Sequence, residues 1–213
     1  FPYTTLFRSD PGFSRSQSMG GVAYGLRSRV NMNPANPASN SSIDSTSFLF
    51  EFGVSGLYSN FSSGSNSVNT FTSNLDYLAF QLPITKWMGM SAGLIPYSFV
   101  GYNYGTVDSI SSTLTQSQTF YGTGGISQAY VGIGATLWKR LSLGVNMYYM
   151  FGSINNVRTM TATSSSVTTY ATNQTSNLYV QNLNFRYGLQ YQETVGRHSF
   201  CIGLVYDRLS KLN

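Results

Sequence analysis

Residues 126–154 read ISQAYVGIGATLW, then KR, then LSLGVNMYYMFGSI: two runs of alternating polarity on either side of a very short basic connection. Ala129, Val131, Ile133, Ala135 and Leu137 share one face of the first run, and Leu141, Leu143, Val145, Met147, Tyr149 and Phe151 share one face of the second. The opposite faces carry Gln128, Tyr130, Gly132, Gly134, Thr136, Ser142, Gly144, Asn146 and Tyr148, with Met150 the one large apolar exception. A period of two predicts an antiparallel hairpin. Pairing Leu137 with Leu141 around Trp138, Lys139 and Arg140 sets Ala135 opposite Leu143, Ile133 opposite Val145 and Val131 opposite Met147, so that all the large apolar pairs fall on one face. The runs exceed the ~5–6 residues usual for a soluble strand and match the ~9–11 tilted residues that cross a bilayer. The apolar face is therefore expected to meet lipid. The alternative is a secreted β-sandwich binding protein with that face in its core, but its other face would then carry more charge.

Composition points the same way. Charged residues make up 9% of the 213, whereas soluble domains carry about 25%. Aromatics reach 15%, with 16 Tyr and 14 Phe, yet mean hydropathy is only -0.10, as expected where strands alternate between lipid and water. No run of ~18 apolar residues predicts a membrane helix. The net charge of +5 comes from scattered cations without a basic run, which argues against a nucleic-acid partner. Cys201 has no second cysteine to pair with and is expected at an inward strand position. The single histidine, His198, falls in an expected turn, so neither a zinc cluster nor a catalytic triad can be built on it. No enzyme activity, metal or cofactor is expected.

Working outward from the hairpin, strands are expected at about 47–59, 75–84, 90–104, 178–192 and 199–209. Phe48, Phe50, Phe52 and Val54 face out on the first, with Glu51 turned to the lumen because a carboxylate is costly in lipid. Leu78, Phe80, Leu82 and Ile84 face out on the second. The polar stretches 60–74, 105–125 and 155–177 read as long solvated loops. Short turns recur at Trp87, Trp138 and Arg197, each leading into a similar strand start. Short turns on one side and long loops on the other are the pattern of an outer-membrane barrel. In the last hairpin, a Gly196-Arg197 turn pairs Val195 with His198, Tyr191 with Ile202, Leu189 with Leu204, Tyr187 with Tyr206 and Arg186 with Asp207. That inward Arg186–Asp207 pair serves either as a structural tie or as a polar constriction for a ligand's head group. Seven strands do not close in lipid, so the expected fold is all-β: an antiparallel up-and-down transmembrane β-barrel, of which about half is present.

The N-terminal part has a different character. Residues 1–9, FPYTTLFRS, have none of the parts of a signal peptide and are set apart as a non-native scar; residues 10–46 form a segment of their own, and 47–213 the partial barrel. Within the segment lie MGG, the basic LRSR and the doubled NPANPAS, followed by SIDSTSFLFEFG. Proline after Asn33 and Asn36 favours extended geometry and opposes a continuous helix. Over Met19–Gly53 this order of motifs resembles the N-terminal region of the outer-membrane long-chain fatty-acid transporter family (FadL/TodX type). The resemblance implies a fourteen-stranded barrel in the outer membrane, plugged by a hatch in which Asn33, Pro34, Asn36 and Pro37 take part in gating. It implies a lateral opening beside Pro96, for which a plain bulge near the rim is the alternative. The function implied is passive uptake of hydrophobic or amphipathic molecules, with membrane lipid and a hydrophobic small-molecule ligand as partners. The non-transport alternative is a barrel acting as shuttle or anchor in protein secretion.

Overall fold

The computed structural model describes residues 7–8, 13–63, 66–111, 114–164 and 170–208. A two-residue strand β1 (Phe7–Arg8), a short helix α1 (Ser14–Ser18) and a 3-10 helix (Pro37–Ser42) precede the long strands. These are β2 (Leu49–Ser63), β3 (Asn66–Thr85), β4 (Met88–Ser111), β5 (Leu114–Trp138), β6 (Leu141–Ser164), β7 (Tyr170–Val195) and β8 (His198–Asp207). Each pairs antiparallel with the next, in the order β2 to β8, and β1 adds to β4. The result is a seven-strand half-barrel sheet with almost no helix. The described residues form one sheet and not the two of a sandwich, and they do not form a closed fourteen-stranded barrel.

The face assignment follows the period-two pattern. Leu143, Val145, Met147, Tyr149 and Phe151 are exposed, while Ser142, Asn146, Tyr148 and Met150 on the same strand are buried. Pairing between β5 and β6 sets Ala135 opposite Leu143, Ile133 opposite Val145 and Val131 opposite Met147. The turn differs from the expected three residues: Trp138 pairs with Leu141, leaving Lys139-Arg140 as the turn and a register shift at Leu137. Two-residue turns also occur at Lys86-Trp87 and Gly196-Arg197, so the strand starts that correspond are Met88, Leu141 and His198. The expected alignment of the three turns was off by two residues at the middle one. In the last hairpin every expected pair forms, Arg186 with Asp207 included. His198 opens β8 rather than sitting in the turn.

The stretches read as loops are the largest departure. Most of 60–74, 105–125 and 155–177 is strand, and β4 to β7 run for 24 to 26 residues each. Their Thr, Ser, Tyr and Val content suits extended backbone, and a ladder already formed on one side templates the next strand. The innermost residues of those stretches lie outside the described ones. A crease crosses the middle strands β4, β5 and β6, dividing each into two halves. On β4 the register shifts between Pro96 and Ser98, and on β5 and β6 Gly124 (φ +125°) and Gly152 (φ +155°) take backbone angles closed to other residues. Below it, on the turn side, lies a core of Phe13, Met32, Tyr77, Ala79, Ile95, Tyr130 and Tyr148; across and above it lies a second of Val100, Ile126, Met150, Ile154 and Val180.

Candidate functional site

The concave face below the crease is laid out in rows, because paired residues on successive strands point the same way. One row consists of Gly89, Gly134, Gly144 and Gly188, each directly opposite the next on β4, β5, β6 and β7. A Cβ at Gly89 would collide with the Asn40 carbonyl, at Gly134 with the Pro37 carbonyl, at Gly144 with the Pro37 carbonyl and Ala38 nitrogen, and at Gly188 with the Asn36 side chain. Four missing side chains thus form a trough, and the 3-10 helix Pro37–Ser42 lies in it backbone to backbone. The trough needs no charge or aromatic residue, only the absence of Cβ atoms.

The row nearer the turns holds this helix from the side. Thr136 is paired with Ser142, and Ser142 with Gln190. Arg27 reaches in and donates from Nη1 to Ser142 Oγ (3.0 Å), Gln190 Oε1 (3.2 Å) and the Ala38 carbonyl (3.5 Å), and from Nη2 to Ser41 Oγ (3.1 Å) and Thr136 Oγ1 (3.4 Å). Its partners on both sheet and helix are neutral, and burial lowers its pKa from the usual guanidinium value. Gln190 also donates to the Tyr24 and Leu26 carbonyls, both at 3.0 Å. Arg27 and Gln190 together clasp the N-terminal segment to the sheet.

The row on the other side of the trough is Ser91, Gly132, Asn146, Arg186 and Asp207. Asn146 Nδ2 and Tyr148 OH both donate to the Pro34 carbonyl, at 2.8 and 2.9 Å. Arg186 donates to both Asp207 oxygens (2.6 and 2.8 Å) and lies over the Tyr148 ring at 5.1 Å. Arg186 also lines a cavity of about 520 Å³ among α1 and residues 20–35.

Each anticipated position can now be placed. Asn33, Asn36 and Pro37 are buried on the concave face. Asn33 Nδ2 donates to the Ala23 and Leu26 carbonyls, and Asn36, 0% exposed, donates to the Tyr24 and Leu189 carbonyls while accepting from the Ala38 N–H. Glu51 accepts from the Met32 N–H at 2.8 Å. Pro96 is elsewhere, at the crease, where β3 parts from β4. Arg27, the glycine row, and the donation from Gln81 to the Asn40 carbonyl (3.1 Å) went unread in the sequence. The glycines could have been found, since the expected hairpin register already places Gly134 opposite Gly144.

A family model matches residues 8–213, and that family is BamG. The chain belongs to the BamG family. BamG is associated with the BAM complex, the machinery that assembles outer-membrane proteins. No curated protein and no solved structure matches the chain. The BamG match corrects the resemblance to fatty-acid transporters, and with it the support for fatty-acid uptake falls away. The motifs behind that resemblance, a glycine-rich start and Asn-Pro-Ala units ahead of long amphipathic strands, encode a segment seated on a curved sheet. That is an architecture, and architecture does not fix the ligand.

Proposed function

We propose that this BamG-family chain is a membrane-embedded, non-catalytic part of the outer-membrane protein assembly machinery, a barrel wall stiffened by its own N-terminal segment. The family match carries the reading, and the seating of the segment supports it. A hatch that moves to admit solutes would need weak, exchangeable contacts. This one rests on a backbone trough, with the Arg27 clasp at one side and the Asn146–Pro34 bond at the other. Such a plug makes a rigid body whose outside is available to partners.

In this reading the exposed apolar face below the crease is the lipid face. A band of about 25 Å is crossed by roughly ten tilted strand residues, which from each turn reaches the crease. Trp87 and Trp138, both exposed near the turns, fall at the periplasmic interface, where aromatic residues collect. The far halves of β4 to β7 then stand outside the bilayer. The test is isolation of tagged protein from its native host after mild detergent extraction, combined with depletion. Assembly components should copurify, and depletion should lower the amounts of other outer-membrane barrels without changing uptake of a fatty-acid probe. A chain that purifies alone, and whose loss changes only uptake, overturns the reading.

A further inference from the structure

Three short turns close the hairpins at the proposed periplasmic end, and each carries a cation: Lys86 beside Trp87, Lys139 and Arg140 after Trp138, and Arg197 after Gly196. Arg140 is neutralised by Glu193, its Nη1 lying 2.7 Å from an Oε2 that also accepts from Tyr191 OH at 2.8 Å. Lys86, Lys139 and Arg197 are exposed and have no acidic partner among the described residues. One uncompensated cation is thus left at every turn. The far halves of β4, β5 and β6 have no such excess; their charges among the described residues are Asp108 and Arg158.

The turns also stand level with one another. The Trp87 carbonyl accepts from the Thr136 N–H and the Arg140 carbonyl from the Gln192 N–H, both at 2.8 Å. Thr136 stands three residues before Lys139, and Gln192 four before Gly196, so each turn lies about 10–13 Å further along the strands than its neighbour. Neighbouring turns are two strand spacings apart, about 10 Å across. An advance that matches the spacing is what strands tilted by about 45° need if their turns are to end in one plane. The indoles belong to the same level. Simple alternation would turn Trp138 inward with Thr136, but the register shift at Leu137 pairs it with Leu141, on the face of Leu143 and Val145. Trp87 and Trp138 are both exposed, and they are the only tryptophans in the chain.

We propose that this rim binds the headgroups of anionic phospholipids, with Lys86, Lys139 and Arg197 on the phosphate oxygens and the two indoles at the level of the glycerol esters. The site rests on the membrane reading above and names the lipid that the turn end takes. An ammonium or guanidinium donates strongly to a phosphate, and an indole has an apolar body for the acyl chains and an N–H for the ester oxygens. A zwitterionic headgroup offers the same phosphate but offsets it with its own cation, so the preference falls on lipids of net negative charge. Spread over separate turns, the three cations act on separate headgroups, and the preference expected is that of a single cation.

The two tryptophans report on the site directly. The full chain is reconstituted in phosphatidylcholine vesicles that contain phosphatidylglycerol, with bromine on the acyl chains of one lipid or the other, close to the headgroup. Brominated phosphatidylglycerol should quench Trp87 and Trp138 as though enriched about fivefold beside them over its share of the bilayer, the effect of one Lys or Arg at an anionic surface. The enrichment should fall with added salt. It should be lost in Lys86→Gln/Lys139→Gln/Arg197→Gln and kept in the charge-conserving Lys86→Arg/Lys139→Arg/Arg197→Lys and in Arg158→Gln. Equal quenching by the two lipids in the parent overturns the site and leaves the membrane reading standing, whereas no quenching by either overturns both. A heat-modifiable triple glutamine variant that keeps the enrichment also overturns the site, since the lipid is then selected by other residues.

Discussion

Below the crease each strand has one large apolar face and one small or polar face, and the polar face is packed against the N-terminal segment. Above it the same strands carry Thr, Ser, Asn, Gln and Tyr on both faces, and they are held by one another. Tyr104 stacks on Phe120 at 5.1 Å, Arg158 sits 5.3 Å above Phe120 and donates to Gln118 at 2.8 Å, and Tyr102 donates to Asn156 at 3.0 Å. Tyr104 and Phe120 are cross-strand partners, as are Phe120 and Arg158, and Tyr102 reaches over Gly122 to Asn156, so beyond the cluster of Val100, Ile154 and Val180 the far half is stabilised by side chains of neighbouring strands rather than by the N-terminal segment. The difference teaches that a single strand can be specified in two ways along its length: by which face is excluded from water, and by what stands opposite.

Substitutions at matched positions put this contrast at risk, beginning with the largest effect. Val145 is the fifth residue of β6 from its turn, close to the middle of the proposed lipid band. Val145→Arg should cost about 2 to 4 kcal/mol in folding into lipid vesicles. Val107→Arg, on the far half of β4 and 69% exposed, should cost less than about 0.5 kcal/mol. Equal costs would mean that the crease does not mark the lipid boundary.

Next comes the trough. Gly144→Val places side-chain atoms where the Pro37 and Ala38 backbone lies and should cost about 3 kcal/mol, with the N-terminal segment becoming sensitive to protease. Gly101→Ala, with open space around it, should be within about 0.5 kcal/mol of the parent in the same denaturant titration. Arg27→Met should follow, at about 2 kcal/mol, by leaving Ser142 and Gln190 without their donor. Amide exchange should then rise in residues 23–42 and stay unchanged in β4 above Val100; a uniform rise would show that the two halves are one cooperative unit.

The smallest effect is at the rim of the sheet. Arg186→Gln and Asp207→Asn should show a coupling of about 1 kcal/mol in a double-mutant cycle, kept small because the Asp207 side chain is 50% exposed. Additive losses would mean that the two charges act independently.

These contrasts also explain what could be read from the chain in advance. Hairpin registers below the crease were legible because a slip by one residue would turn every large apolar side chain to the wrong face. Strands above it were not, because Thr115–Tyr121 or Thr159–Thr163 show no polarity difference between faces and so resemble loop. Asn146 illustrates a subtler limit. Its place on the inner face was clear from the period of two, and an aqueous lumen at that position would tolerate Asn146→Arg. The residue is instead fully buried under Pro34, so the substitution is expected to be as damaging as one on the lipid face. Alternation tells which face a residue takes but not what fills the space beyond it. Arg27 was illegible for a related reason: its partners Thr136, Ser142 and Gln190 are 109 to 163 residues away in sequence.

That separation has a kinetic side. Residues 23–42 are made before any strand they touch, yet their bonds to Gln190 and Leu189 cannot form until β7 is in place. The segment therefore has to wait, and contacts so distant along a chain form slowly. Local hairpins, closed by two-residue turns, come first; the curved sheet then gathers around the waiting segment, and the clasp sets last. Pulsed amide exchange during refolding should show β5–β6 protected before residues 23–42, and the reverse order would mean that the segment templates the sheet instead of being captured by it.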